Sequence, residues 1–152
     1  MSNFRTYAKA ILIPVIIGGI VGFLISGSMD YESLKQPPFA PPSIVFPIVW
    51  TILYILMGIS YGILDTKGLV DSKINNIYYI QLFVNALWPI AFFVFKLRLF
   101  AFIWILLLLA LIIIMIKAFY EKDKTAGLLQ IPYLLWTAFA TYLNLAIFLL
   151  NR

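Results

Sequence analysis

The chain of 152 residues contains no cysteine and no histidine. That excludes a disulfide framework, thiolate or imidazole metal sites, histidine-ligated haem and every nucleophile–histidine pair, so no metal is expected. Charge is scarce too: Asp, Glu, Lys and Arg make up 11% of the residues, where an average soluble domain has about a quarter. What is present instead is apolar, 64% of the chain, with 17% aromatic. A soluble enzyme does not have this composition. The formal charge of +5 would suggest nucleic acid in a soluble protein. Here the basic residues stand between apolar runs, where they meet the anionic headgroups of a lipid bilayer, and no nucleic-acid partner is expected.

Five apolar runs divide the chain, at about residues 8–26, 44–64, 74–95, 99–119 and 128–150. Each is long enough to cross a bilayer. The charged residues, from Arg5 and Lys9 through Asp30, Lys67, Lys96 and Lys117 to Arg152, fall at the ends of runs or between them. Backbone groups in lipid must be satisfied within the segment, and the alternation of a barrel strand is missing. The fold class is therefore an all-α integral membrane protein, a bundle of five transmembrane helices forming one domain over residues 1–152. Arg5, Lys9 and the small residues Ser26-Gly27-Ser28 would also suit a signal peptide, but the apolar stretch between them is long for one and reads as a helix. Loop charges favour a cytoplasmic N-terminus, with the first loop and the C-terminus outside.

That first loop, residues 28–43, holds Pro37, Pro38, Pro41 and Pro42. Proline removes amide donors and fixes φ, so the segment reads as a stiff lid over one mouth of the bundle or as a rigid linker. Inside the runs, Asn85, Trp88 and Phe92 share one helix face, Trp136, Ala140 and Asn144 another, and Phe46, Trp50 and Tyr54 a third. By spacing alone such aromatic stripes are more often bundle core than pocket wall. No ionisable group lies near mid-membrane, which argues against a pump or proton-coupled transporter. The spacings Gly18-x-x-x-Gly22 and Gly58-x-x-x-Gly62 allow close helix approach, within the bundle or between protomers.

Three ordered blocks carry a resemblance. They are Tyr31-x-x-Leu34-x-x-Pro37-x-x-x-Pro41-Pro42-x-x-x-Phe46-x-x-x-Trp50-x-x-Leu53-Tyr54, Gln81-Leu82-x-x-Asn85-x-x-Trp88-x-x-x-Phe92-Phe93, and Pro132-Tyr133-Leu134-x-Trp136-x-x-Phe139-Ala140-x-x-Leu143-Asn144. In order and spacing they resemble the translocator protein and bacterial tryptophan-rich sensory protein family, also called the peripheral benzodiazepine receptor family.

The resemblance implies a homodimeric five-helix protein of the bacterial cell membrane with a pocket beneath the lid. It implies binding of porphyrins such as protoporphyrin IX, as ligand or as substrate of light-dependent breakdown, and a role as tetrapyrrole sensor or scavenger. The alternative is a transporter of porphyrin or another lipophilic small molecule. The ligand-binding residues it implies are Tyr31, Pro41, Pro42, Phe46, Trp50, Tyr54, Asn85, Trp88, Trp136 and Ala140, with Trp50 and Trp136 as the photochemical pair. No permanently bound cofactor is implied. Asp30 and Phe39 stand where bacterial relatives often carry tryptophan, and Gln36 replaces a lid lysine. No basic residue follows Tyr142 closely enough for the cholesterol consensus, so sterol is not an expected partner.

Overall fold

The computed structural model of the protein describes residues 2–152. Five long helices account for most of it: α1 (Ser2–Ile25), α2 (Val45–Thr66), α3 (Ser72–Pro89), α4 (Arg98–Lys122) and, after the single-turn α5 (Lys124–Leu128), α6 (Ile131–Asn151). Five segments built on these helices are long and apolar enough to cross a membrane. The boundaries lie within a few residues of the apolar runs, except that α1 begins earlier, at Ser2.

Local chemistry sets the ends. Asp71 caps α3 by accepting from the Ile74 amide at 2.9 Å, and Asp123 caps α5 by accepting from the Ala126 amide at 3.1 Å. The same two carboxylates tie neighbouring loops together. Asp71 pairs with Lys122 at 2.9 Å, and Asp123 pairs with Lys67. The end of the bundle opposite the lid is thus held by two crossed ion pairs.

In α4 the buried positions Ala101, Ile105, Leu108, Ile112, Met115 and Phe119 alternate steps of four and three, the stripe that packs helices at shallow angles. The helix packs against both α3 and α6, and the Trp104 indole N–H donates to the Val84 carbonyl of α3 at 2.8 Å. α1 packs along α2 and also reaches α3. Glycines make the α1–α2 contact close: a Cβ on Gly58 would stand 2.4 Å from Ile11 Cα, and one on Gly62 would stand 2.6 Å from the Tyr7 ring. A Cβ on Gly18 would meet Tyr54 at 2.4 Å. Gly18, Gly58 and Gly62 therefore serve contacts inside one protomer.

α3 does not end as a plain helix. Pro89 has no N–H to return to the Asn85 carbonyl, and the next turn, Ile90–Val94, widens into a π-helix. It closes with Phe95 N–H to Ile90 O at 3.1 Å and Leu97 N–H to Ala91 O at 3.0 Å. This widened turn carries Phe92 and Phe93 into the interior, a frequent arrangement at functional sites.

Candidate functional site

A cavity of about 370 Å³ lies in the lid-side half of the bundle, within the range typical of small-molecule sites. α1 contributes its small-residue face, including Gly18, Gly19 and Gly22; α2 contributes Phe46, Trp50 and Tyr54; α3 and its π turn contribute Asn85, Trp88, Phe92 and Phe93; α6 contributes Ala140, Leu143, Asn144 and Ile147. Met29 and Tyr31 close it from the lid. None of the lining residues is charged. The other half of the bundle is filled by fully buried side chains such as Met57, Leu64, Tyr78 and Phe119.

The aromatic wall is built from three separate pairs of rings. Tyr31 meets Phe46 edge-on at 5.0 Å, Trp50 lies 6.0 Å from Tyr54, and Trp88 lies 5.4 Å from Phe92. Polar groups within it are paired. Tyr54 OH donates to Asn85 Oδ1 at 2.6 Å, Asn85 Nδ2 donates to Tyr133 OH at 2.8 Å, and Tyr133 OH donates to Gln81 Oε1 at 2.7 Å. Trp88 Nε1 donates to Asn144 Oδ1 at 2.9 Å, and Asn144 Nδ2 passes the link to the Arg98 carbonyl at 2.8 Å. Networks of this kind hold rings in one orientation at little cost, because the Tyr54 and Tyr133 hydroxyls and the Trp88 indole N–H each find an acceptor.

The lid is sewn down along its length. Tyr31 OH donates to the Pro41 carbonyl at 2.7 Å, Tyr142 OH to the Pro38 carbonyl at 2.8 Å, and Asn151 exchanges two hydrogen bonds of 2.9 Å with the Lys35 backbone. Glu32 accepts from the Ser43 amide at 3.3 Å, and these Ser43 contacts hold its carboxyl below the usual range. Burial, with the Glu32 carboxylate adding to it, raises the Tyr31 phenol above its ordinary value.

Of the residues named from sequence, Tyr31, Phe46, Trp50, Tyr54, Asn85, Trp88 and Ala140 line this cavity. Pro41, Pro42 and Trp136 do not. Pro41 acts through its carbonyl, which fixes Tyr31, and Pro42 is exposed. Trp136 faces a shallow outer groove between α2 and α6 with Val49, Leu53 and Phe139, and touches the site through Phe46 at 5.8 Å. The structure therefore does not bring Trp50 and Trp136 together on one cavity. The indole that shares it with Trp50 is Trp88. Sequence reasoning also left out the whole α1 wall; the small residues at Gly18 and Gly22, flanked by Val15 and Ile25 at helical spacing, were its signal.

Fold and cavity together define a class: an integral membrane protein of five spanning helices with a neutral, aromatic-walled cavity at one end. Residues 10–150 match the TspO/MBR family, and the chain belongs to that family. It is 36% identical to the tryptophan-rich protein TspO of Archaeoglobus fulgidus, over 98% of this chain and 99% of that one. It is 38% identical to the TspO protein of Chlorobaculum tepidum, covering 82% of this chain and 80% of that one. The tryptophan-rich sensory protein of Cereibacter sphaeroides is 32% identical, over 97% and 90% respectively.

Proposed function

We propose that this protein is a membrane-embedded receptor for porphyrins such as protoporphyrin IX and related flat aromatic molecules, acting as a tetrapyrrole sensor or scavenger. The observation that carries the reading is the cavity itself, in which Phe46, Trp50, Tyr54, Trp88 and Phe92 surround an uncharged space beneath a fastened lid. A porphyrin is a flat, apolar π system, and each good ring contact adds about 0.5–1.5 kcal/mol beyond area burial. Its propionates suit the lid end, where the chain leaves the apolar region. The sensory name of the Cereibacter sphaeroides relative supports the same reading. A site confined to one half of the bundle, with the other half packed, favours a receptor over a conduit.

Titration of the purified protein with protoporphyrin IX, in darkness and under light, tests this. Saturable binding of roughly micromolar affinity, about 8 kcal/mol, is expected in the dark; no saturable binding would remove the reading. Under light, loss of bound porphyrin absorbance that depends on tryptophan is expected to slow in Trp50→Phe and to persist in Trp136→Phe, because only the first of these rings lines the cavity. Equal rates in wild type, both variants and free porphyrin would leave the protein a binder without photochemistry.

A further inference from the structure

The cavity wall is neutral, yet three charges stand directly behind it at the lid end. Asp30 lies between Met29 and Tyr31, both of which line the cavity, and binds Arg98 at the start of α4. A single guanidinium nitrogen, Nη2, donates to both Asp30 oxygens at 2.7 Å, and Lys96 Nζ stands 3.7 Å from Oδ2. The Arg98 guanidinium also lies 5.0 Å from the ring centre of Phe92, a cavity residue, and the Arg98 carbonyl accepts from Asn144, another one. Ring, amide and lid thus fasten this arginine to the cavity from three sides.

Asp30 does not saturate the site it occupies. Two cations face one carboxylate, which leaves an excess of one positive charge. Arg98 Nε is buried with no partner among the described residues, on a side chain that is 12% exposed. A carboxylate approaching side-on would take Nε–H and Nη2–H together, the paired geometry that arginine offers best. The surplus charge of the half-exposed Lys96 and the unfilled buried donor of Arg98 both favour a further anion.

We propose that Arg98 and Lys96 form a carboxylate-binding subsite for acidic ligands of the cavity, and that Asp30 is an internal carboxylate which a ligand carboxylate displaces, loosening the lid from α4. The subsite rests on the proposed function and narrows it, from flat aromatic molecules to those that carry carboxylates at one edge. A porphyrin diacid presents an apolar ring to the aromatic wall and its carboxylates to the cationic end.

Protoporphyrin IX and its uncharged dimethyl ester separate the two contributions. Dissociation constants for both are measured in darkness in wild type, Asp30→Asn, Arg98→Gln and Lys96→Gln, and read as the acid-to-ester preference of each variant. The expected preference in wild type is about tenfold for the acid. It rises in Asp30→Asn, where the internal competitor loses its charge, and falls toward one in Arg98→Gln and Lys96→Gln. A preference that does not move in Asp30→Asn and Lys96→Gln overturns the subsite, and these two variants decide the matter even if Arg98→Gln fails to fold. If neither porphyrin binds the wild type, the proposed function falls and the subsite with it. Equal binding of both porphyrins in every variant removes the subsite alone.

Discussion

Asn85 spends both ends of one amide in the bundle, accepting from Tyr54 and donating to Tyr133. Replacing it by leucine leaves the buried Tyr54 hydroxyl without an acceptor, at a cost of about 1–2 kcal/mol. Asn85→Leu is therefore expected to lower the melting temperature in detergent, and Tyr54→Phe added to it is expected to recover part of the loss, because the stranded donor is gone. Additive losses in the double variant would mean that the two groups are not coupled. Residues of this kind were legible from spacing: Asn85, Trp88 and Phe92 fall on one face and stay there over two turns. Trp136 was misplaced by the same reasoning, for a geometric reason. A set stepping by four turns a 3.6-residue helix about 80° beyond whole turns over eight residues, and which end stays on the cavity is decided by the neighbouring helices, since Phe46, Trp50 and Tyr54 carry the same drift and all line it. Ala140 and Asn144 reach the cavity while Trp136 is carried round toward α2. The contact of Arg98 with the Phe92 ring was not recognisable, since at the level of sequence Arg98 is one more basic residue at the end of an apolar run.

At the scale of elements, the helices were legible because lipid leaves so few alternatives: a long apolar run bounded by charges has to be a helix. Hydropathy says nothing about which helices touch. That information sits in small residues, whose spacing allows contact within the bundle or between protomers, and in the structure Gly58 lies against the backbone of α1. Gly58→Ala is expected to destabilise the protein by about 1–3 kcal/mol, because the added methyl meets backbone that cannot move aside. Gly19→Ala, where a Cβ meets nothing within 4 Å, is expected to be neutral or slightly stabilising through helix propensity. Equal melting temperatures for the two variants would contradict the α1–α2 packing. The π turn after Pro89 was hidden for a different reason. A proline inside an apolar run announces a break in the hydrogen-bond ladder, but not whether the chain kinks, tightens or widens.

For the molecule as a whole, charge is concentrated at the two ends. Opposite the lid, Asp71 and Asp123 each combine a helix cap with an ion pair, and the carboxyls of both lie below their ordinary value: Asp71 chiefly through the Ile74 amide, then Lys122, and Asp123 chiefly through Lys67, then the Ala126 amide. A carboxyl depressed in the folded state stabilises it fully above the unfolded pKa, and that contribution is lost as pH falls through the folded one. The melting temperature is therefore expected to decline on acidification below about pH 4, and less steeply in the double variant Asp71→Asn, Asp123→Asn, which has already given up these contributions. An acid limb identical to wild type would show that other carboxyls govern it. The central claim, that the lid-side cavity is where a porphyrin sits, is tested most directly at Gly22. It lies one turn beyond Gly18 on the same cavity-lining face of α1, and a Cβ there meets nothing within 4 Å. In Gly22→Phe the added Cβ has open space at a cavity-lining position, and helix propensity favours the change over glycine. The measurement is the dissociation constant of protoporphyrin IX in wild type and Gly22→Phe, at matched melting temperature. The account predicts at least a roughly tenfold loss of affinity, equivalent to about 1.4 kcal/mol; a folded Gly22→Phe protein that binds the porphyrin as tightly as wild type would contradict it.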